Sequence, residues 1–514
     1  MKTNLVRRCV LLGTVLLATA ALVVPLQGQA QALKGGRLRV ALVADPINFD
    51  PAQFSSNNFP LIKNLYDSLI EYTAEGQAIP SLASAWAVGA GNTSVTLTLR
   101  RDVTFHSGAP MNADAVAATL KKGMDPKAGK NLYPTMQGVV KDWTVVDPFT
   151  IRINFVNPVP EKQITDLLQF ISPIDPAGIE TVETKPAGTG PFMLAERVLG
   201  QRVRMVVNPK YWRAEKPLLS EIVLTTFSDN EAANAALESG SADMIYGGDA
   251  RSAIRLRSAG YQLIQGPGPL VQVLRINTTR PPFKNEKFRQ AFNFLVDRAA
   301  ILQVGYAGLG TVTALPWVPA SPAADKSYDT KYAFDLAKGQ ALLKESGLSA
   351  AEQSNWKLLV NGTGQDVVAI SQVLQATLAK VGINIQLDVK QGTEYTDALL
   401  GGKFDATFGG IGNIQKFPSR VTTNSIYRTV KNPVLGDPHP FPDYVAAINR
   451  VNSTFGTGAE VKAAYDNLNK VLVESAFAIP TNTYDIALIV AAKNVGGITR
   501  EIDNMLSART IGFR

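Results

Sequence analysis

The sequence predicts an α/β protein, and three observations support this class. Short alternating apolar segments typical of strands are interleaved with longer segments of helical periodicity along the chain. The 514 residues are too many for one hydrophobic core, so about three folded units are expected. Apolar residues make up 46% and charged residues 18%, which is typical of globular proteins, and there is no internal repeat.

The first 32 residues predict a secretory signal peptide. Lys2, Arg7 and Arg8 precede an apolar run, and the segment ends in small residues at Ala30 and Ala32. We expect cleavage after Ala32, with Ala30 as the alternative. An uncleaved membrane anchor is the competing interpretation, but the apolar run is short for a span. This predicts a periplasmic mature protein that is not embedded in the membrane.

The composition argues against several functional classes. The only cysteine, Cys9, lies in the predicted signal peptide, so the mature chain would have no disulfide, thiolate nucleophile or cysteine metal site. Loss of residues 1–32 removes three positive charges from the net charge of +8. The small excess that remains is no argument for nucleic-acid binding.

The predicted elements of the N-terminal half follow from periodicity and capping residues. Asn112 is a predicted N-cap, because it precedes a helical segment that starts at Ala113. Period-two alternation predicts strands, and apolar residues at helical spacing predict a helix. The strands are expected at 36–44, 94–100 and 147–156, and the helix at 61–72.

The segment Gly188-Thr-Gly-Pro could be a phosphate cradle or a turn. A cradle opens a helix, so that free N–H groups face the anion. Residues 192–207 instead alternate on both sides of Gly200-Gln201, which predicts a hairpin. The turn is therefore favoured.

A second glycine motif lies between the strands predicted at 356–360 and 383–389, where Asn361-Gly-Thr-Gly precedes a helix at 365–381. Asp388 ends the second strand, as in a dinucleotide site. Val367 stands where such a site needs a third glycine, so no cofactor is predicted.

The remaining expected elements are strands at 271–277 and 480–490 and helices at 287–302, 332–347 and 462–476. Asn285 is the predicted N-cap of the first of these helices, and Gly347 is predicted to end the second.

The chain shows no catalytic signature. His106 and His439 have no metal-ligand spacing, and there is no serine-hydrolase elbow. We therefore predict no catalytic and no metal-binding residues. A long exported α/β chain of this kind suits a binding protein whose ligand lies between lobes. An exported hydrolase is one alternative, and a receptor or sensor that binds a ligand without import is another.

Several segments, in order, resemble the family 5 extracellular solute-binding proteins of ABC importers, the dipeptide-, oligopeptide- and nickel-binding group. The resemblance covers essentially the whole mature chain, and the ordered set is more specific than any one motif. The segments are LIEY (69–72), IPSLASAWAV (79–88), TLTLRRDVTFHSGAPMNADAV (96–116), GTGPF (188–192), NPKYWR (208–213), NTTRPPFKNEKFRQAFNFLVDR (277–298), AFDLAKGQALLKESG (333–347) and KVGINIQLDV (380–389).

The resemblance implies a two-lobed periplasmic binding protein fold (type II-like, class C) with an extra α/β subdomain in the first lobe. Lobe 1 would comprise 33–280 and 480–514, with the subdomain at about 55–161, and lobe 2 would comprise 281–479. It also implies a monomer that binds a small molecule or short peptide and hands it to the membrane subunits of an ABC permease.

The family's peptide binders carry G-W-x-x-D-Y after an F-D strand, and the aspartate pairs with the peptide amine. Here Ile411 and Ile414 replace that tryptophan and aspartate, so a free peptide amine would lack its partner.

Lys416, Arg420, Arg428 and Lys431 follow, and they are either an anion-binding group or a solvated loop face. The predicted ligand-binding residues are Asn48, Phe49, Asp50, Gly410, Ile411, Gly412, Asn413, Ile414, Gln415, Arg428 and Tyr484, and His439 would be the one candidate for nickel.

Overall fold

The computed structural model describes residues 32–514 except for 56, 74–75, 267–269, 413–417, 430–431, 433, 437, 456–457, 486 and 501–504. The predicted signal peptide therefore lies outside the described residues, apart from Ala32. Within the described part of the chain, no helix is both long and apolar enough to cross a membrane.

Strands and helices alternate along the chain, which confirms the α/β class. The strands are β1 (Gly36–Leu42), β2 (Ile70–Tyr72), β3 (Ala78–Pro80), β4 (Ala83–Val88), β5 (Ser94–Leu99), β6 (Val140–Asp147), β7 (Thr150–Phe155), β8 (Phe192–Val198), β9 (Arg202–Val207), β10 (Leu219–Thr226), β11 (Met244–Tyr246), β12 (Gln262–Ile264), β13 (Leu270–Ile276), β14 (Lys357–Asn361), β15 (Gln386–Lys390), β16 (Ala406–Ile411), β17 (Ala478–Tyr484), β18 (Ile489–Ala491), β19 (Val495–Gly496), β20 (Thr499–Arg500), β21 (Leu506–Ser507) and β22 (Gly512–Phe513).

The helices are α1 (Phe59–Leu65), α2 (Ala113–Gly123), α3 (Tyr133–Met136), α4 (Glu161–Phe170), α5 (Asn230–Glu238), α6 (Ala250–Ser258), α7 (Glu286–Leu295), α8 (Arg298–Tyr306), α9 (Ser327–Lys331), α10 (Leu336–Glu345), α11 (Ala350–Ser354), α12 (Gln365–Ala379), α13 (Gly392–Leu400), α14 (Pro442–Ser453) and α15 (Ala459–Ser475). Short 3₁₀ turns lie at Ala90–Asn92, Pro176–Thr181 and Pro418–Thr423.

Among the described residues, the largest sheet has seven strands in the order β12-β18-β11-β1-β10-β9-β8. β1 lies near its centre and runs parallel to both β10 and β11. Leu38, Val40 and Leu42 face one apolar core and Ala41 faces another. Burial on both faces explains why the strand ends in three consecutive apolar residues, Val40, Ala41 and Leu42.

A second sheet has the order β15-β14-β16-β13-β17 within the described residues. β14 is parallel to β15 and β16, while β13 is antiparallel to β16 and β17. Side chains of β13 alternate between two cores: Val271 and Val273 enter one, and Leu274 and Ile276 enter the other. Alternation therefore places Arg275 on the face of Val271 and Val273.

The chain passes between these two sheets twice. It leaves the seven-stranded sheet after β12, enters the five-stranded sheet as β13, and returns from β17 to β18. The predicted lobe limit at 280/281 lies after β13, and the limit at 479/480 lies within β17, so each falls on the side of the five-stranded sheet. These limits remain a prediction.

A four-stranded antiparallel sheet, β4-β5-β7-β6, lies within the predicted subdomain at about 55–161. Its strands alternate as a one-sided sheet should, with Leu97 and Ile151 buried against Val116 and Leu120 of α2. Asn112 caps α2 as predicted, since its side chain accepts a hydrogen bond from the Ala115 amide at 3.1 Å. The subdomain's residue limits also remain a prediction.

Three of the predicted elements were wrong in extent. The helix predicted at 61–72 ends at Leu65, and β2 follows it. The helix predicted at 287–302 is broken after Leu295, and Asp297 caps the second piece by accepting from the Ala300 amide at 2.9 Å. The strand predicted at 480–490 is two strands, β17 and β18, which belong to different sheets.

The Gly188-Thr-Gly-Pro turn has a structural role, as the hairpin argument predicted. β8 and β9 pair antiparallel after it. A Cβ on Gly188 would lie 2.1 Å from the Leu65 carbonyl oxygen, and one on Gly190 would lie 2.4 Å from the Leu65 carbonyl carbon. The Gly190 amide instead donates to the Leu65 carbonyl at 3.0 Å. Glycine is needed here because two backbones touch.

The NPKYWR segment reaches back to residues just after α1. Asp67 is 2% exposed, and its carboxylate accepts hydrogen bonds from the Tyr211 hydroxyl, the Trp212 indole and the Thr189 hydroxyl, each at 2.9 Å. Burial raises the pKa of Asp67, and the neighbouring charge of Glu71 adds to that rise. These buried bonds hold the segment after Leu65 extended, which is why the predicted helix stops there.

Glu71 joins three distant parts of the chain. It is 6% exposed, and it accepts from Arg213 at 2.6 Å, from Arg509 at 3.1 and 3.2 Å and from the Ser81 hydroxyl at 3.2 Å. Burial would raise its pKa, but the positive charges of Arg509, Lys63 and Arg213 outweigh burial and lower the pKa to about 2. The C-terminal segment is thereby tied to β2.

Glu71→Gln should destabilise the protein by about 3 kcal/mol at neutral pH, because it removes a buried carboxylate that two partly buried arginines share. Since the pKa of Glu71 is below its ordinary 4.5, its contribution is complete above that pH and is lost as the pH falls toward 2. Urea unfolding at pH 7 and pH 3, followed by tryptophan fluorescence, should show a smaller pH effect in the variant.

Glu238→Gln is the matched control, because Glu238 forms an exposed ion pair with Arg255. Its effect should be below about 1 kcal/mol. Equal stability of wild type and Glu71→Gln at pH 7 would show that the buried charge is not needed.

Candidate functional site

Two glycines at the end of β16 leave room for side chains from neighbouring strands. A Cβ on Gly409 would lie 2.4 Å from the guanidinium carbon of Arg275. A Cβ on Gly410 would lie 2.4 Å from the hydroxyl oxygen of Tyr484. β16 pairs with β13, and β13 pairs in turn with β17. Residues of all three strands therefore lie close to these two glycines.

Arg275 is the charged group at this place. It is 9% exposed, and its Nη2 donates to the Gly410 carbonyl at 2.8 Å. Its Nε is buried and has no hydrogen-bond partner within the ranges that the structure describes. Burial lowers its pKa, while the hydroxyls of Tyr395, Tyr484 and Tyr427 oppose that shift. Among the described residues, Arg275 forms no ion pair.

Polar side chains continue on the other face of β13. Tyr484 stacks on Tyr306 with ring centroids 4.8 Å apart, and the Tyr306 hydroxyl donates to the Gln272 side-chain oxygen at 2.9 Å. In the described part of the chain, the Gln272 amide nitrogen is buried and has no hydrogen-bond partner. We refer to Gln272, Arg275, Tyr306, Gly410 and Tyr484 as the β13 cluster.

The structure brings two of the predicted ligand residues, Gly410 and Tyr484, into contact. Ile411 is buried beside them on the face of Val271, and Gly412 follows. Arg428 is exposed, and its carbonyl accepts from the Asn432 amide at 3.0 Å. Asn413, Ile414, Gln415, Lys416 and Lys431 lie outside the described residues, as does the side chain of Arg420.

Asn48, Phe49 and Asp50 lie in the loop between β1 and α1. Asp50 is fully buried and already paired with the Lys122 ammonium at 2.5 Å. Phe49 is 2% exposed in the apolar core, and the Asn48 side-chain oxygen accepts from the Asp50 amide at 3.1 Å. All three thus have structural contacts of their own, and their contact with a ligand stays a prediction.

Asp485 holds the two passages between the sheets together. Its carboxylate accepts from the Gly266 amide at 3.0 Å, from the Ala487 amide at 2.9 Å and from Arg500 Nη2 at 3.0 Å. Arg500 also donates to the Ala487 carbonyl at 2.6 Å. The Asp485 and Arg500 side chains are only 6% and 5% exposed. One buried ion pair therefore fixes both crossing segments.

His439 packs among the rings of Phe441, Tyr444 and Phe477. Its Nδ1 accepts from the Phe441 amide at 3.2 Å. Within the described residues, no group of three His, Cys, Asp or Glu side chains is arranged to hold a metal ion.

Sequence reasoning missed Arg275 and Asp485, although each left a signal. In VQVLRIN, Arg275 continues the period-two row of Val271 and Val273, so a charge stands on an apolar face. In TYDIALIV, Asp485 is the one acid in an otherwise apolar strand pattern. A charge on a buried row points to a buried partner or a ligand.

The family model of bacterial extracellular solute-binding proteins, family 5, matches residues 77–431 of the chain. A curated relative, the glutathione-binding protein GsiB of Salmonella choleraesuis, is 29% identical over 333 residues. That match covers 63% of this chain and 64% of the relative, so the chain spans just under two thirds of the relative's length.

Two solved structures have a similar fold. NikA from Brucella suis in complex with Fe(III)-EDTA superposes with a TM-score of 0.81 at 23% identity, covering 93% of this chain and 100% of that one. The ABC transporter-associated periplasmic binding protein DppA from Helicobacter pylori in complex with peptide STSA gives 0.76 at 21% identity, covering 94% and 98%. These similarities confirm the two-lobed α/β fold class.

Asp485→Asn should lower the melting temperature by about 5 °C, because it leaves the buried Arg500 without its counter-charge at the junction of the sheets. Differential scanning calorimetry of the two purified proteins measures this. Asp466→Asn, which removes an exposed ion pair with Lys462 on α15, is the control and should change the melting temperature by less than about 1 °C. Similar curves for both variants would contradict the assigned role of Asp485.

Proposed function

Because the chain belongs to the bacterial extracellular solute-binding proteins, family 5, we propose that it captures a small polar solute in the periplasm and delivers it to the permease of an ABC importer. The solute is a peptide or a peptide-like compound, held between two lobes. The observation that carries this proposal is the position of the β13 cluster: β13 adjoins one of the passages between the two sheets, and its Gln272 amide nitrogen and Arg275 Nε have no partner in the described part of the chain.

The relatives support the solute class. GsiB is named for glutathione, and DppA was solved with the peptide STSA as an ABC transporter-associated periplasmic binding protein. NikA was solved with Fe(III)-EDTA. We extend to this chain the common element, a small polar solute bound by a protein of this fold.

The proposed mechanism is capture followed by closure. The two passages at β12–β13 and β17–β18 would act as the hinge, because they are the covalent connections between the seven-stranded and five-stranded sheets. A solute held by Tyr484 and the backbone of Gly410 would lose most of its hydration on closure. Micromolar affinity corresponds to about −8 kcal/mol, which a few charged hydrogen bonds and buried area can provide.

We also propose that the protein does not transform its solute, that residues 1–32 are a signal peptide cleaved after Ala32, and that the mature protein is a periplasmic monomer. Mass spectrometry of the secreted protein would define its first residue. Mass spectrometry of the bound solute before and after incubation would detect turnover, which would contradict the binding-protein assignment.

The central test is a thermal-shift screen of peptides, opines, sugars and metal complexes with the purified mature protein. A true solute at about 100 times its Kd should stabilise the folded state by about 2.7 kcal/mol. Small-angle scattering should then show a smaller radius of gyration, because the lobes close. A screen in which no compound raises the melting temperature would count against solute capture.

Ile414→Asp should increase the affinity for peptides with a free amino terminus by on the order of tenfold, because it restores the carboxylate that pairs with the amine in the family's peptide binders. Titration calorimetry with a tripeptide measures this, and the N-acetylated tripeptide is the control. No change, or a loss of affinity, would show that position 414 does not correspond to the family's aspartate.

A further inference from the structure

Among the described residues, three arginines are buried in or beside the five-stranded sheet, and two of them each bind at least three carbonyl oxygens. Arg298 donates to the carbonyls of Thr313 at 3.2 Å and of Pro480, Asn293 and Tyr332 at 2.9 Å. These oxygens belong to segments that meet at the start of α8. Arg298 is therefore a structural bridge, because each of its bonds fixes a different part of the backbone.

Arg289 has the same kind of environment. Its guanidinium donates to the carbonyls of Ser475 at 3.0 Å, Phe283 at 2.9 Å and Lys284 at 3.1 Å. Its plane also lies over the Phe441 ring, 5.0 Å from the centroid. Carbonyl dipoles spread around a guanidinium compensate part of its lost hydration.

Arg275 differs from both. It is 9% exposed, against 4% for Arg289 and 6% for Arg298, and the described residues provide it with one carbonyl oxygen, that of Gly410. Its Nε has no partner among them, as is also true of Arg298 Nη2, so the contrast lies in the number of carbonyl oxygens: one against three and four. Gly409 has no side chain, and the guanidinium occupies the space that a side chain there would take. A buried cation with so few partners costs the folded protein several kcal/mol, unless an anion binds to it.

We propose that Arg275 is the anion-binding residue of the solute site, and that the solute carries a carboxylate which the Arg275 guanidinium receives. This inference rests on the proposed function, since it names the class of solute that the two lobes capture. Two further polar groups lie near Gly410: the Asn424 amide donates to the same Gly410 carbonyl at 3.4 Å, and the Tyr484 hydroxyl lies against Gly410 on the other face of the sheet.

The charge balance favours a carboxylate over a phosphate. A carboxylate carries one negative charge, which matches the single positive charge of Arg275, and its planar oxygens fit the guanidinium fork. A phosphate monoester carries about −1.5 to −2 at neutral pH, which would leave excess negative charge in a buried site. Among the described residues, no second buried arginine or lysine lies beside Gly410 to neutralise a second negative charge.

The first experiment needs no solute. Arg275→Met removes the charge and keeps the length of the side chain, so the melting temperature of the solute-free protein should stay within about 2 °C of wild type or rise. Arg289→Met removes a guanidinium that bonds three backbone carbonyls and should lower it by more than about 5 °C. A comparable loss in Arg275→Met would show that Arg275 is structural and would overturn the inference.

The second experiment uses matched pairs of compounds: amino acids, tripeptides and opines as free acids and as carboxamides, with sugar phosphates as a third arm. Calorimetry should find an acid that binds wild type at least on the order of 30-fold more tightly than its amide. Arg275→Met should lose that difference, and Arg275→Lys should keep part of it. Arg280→Met is the control, because Arg280 forms an exposed ion pair with Asp405 outside the β13 cluster. This variant should bind the acid and its amide with the same affinities as wild type.

The outcomes separate the inference from the proposed function. An acid and its amide that bind equally, or a best solute that is a sugar phosphate, would overturn the carboxylate assignment while leaving solute capture intact. A panel in which no compound binds wild type would contradict the proposed function, and the assignment of Arg275 would fall with it.

Discussion

The constraint that organises this fold is that a buried charge has to be compensated, and for the buried carboxylates described above another part of the chain does this. Glu71 shows the effect most clearly: it lies on a three-residue strand, and its partners Arg213 and Arg509 come from the middle and the end of the sequence. Because a lone buried carboxylate would cost several kcal/mol, the three segments are stable only together. The hydrophobic cores supply most of the driving force, but buried polar groups decide which segments meet.

The same constraint explains where regular elements stop. The helix that periodicity predicts at 287–302 is apolar on one face throughout, so hydrophobic pattern alone would let it continue. It breaks because the Arg298 guanidinium donates to the Asn293 carbonyl, five residues back, and to three other carbonyls. Asp297 then caps the next helix. At Asp67 and Asp485 a buried carboxylate likewise ends a helix or divides a strand.

What could be predicted from the sequence is therefore what depends on neighbours along the chain. Alternation located β1, β5 and the β8–β9 hairpin, and the local cap at Asn112 marked the start of α2. Segment order indicated the family. Pairings across long separations left no such trace: nothing near Asp50 in the sequence shows that Lys122 will neutralise it.

The β13 cluster and the junction between the sheets share a strand pair. Tyr484, which contacts Gly410, is followed at once by Asp485, which binds the Gly266 amide on the opposite passage and Arg500. On β13, Arg275 lies five residues after Leu270, the partner of Tyr484 across the strands. If the protein captures a solute as proposed, an anion that neutralises Arg275 would therefore change the electrostatic energy of the two strands that connect the sheets. Binding and closure would then be coupled through a short, continuous set of contacts, because the same two strands carry the charge and the hinge.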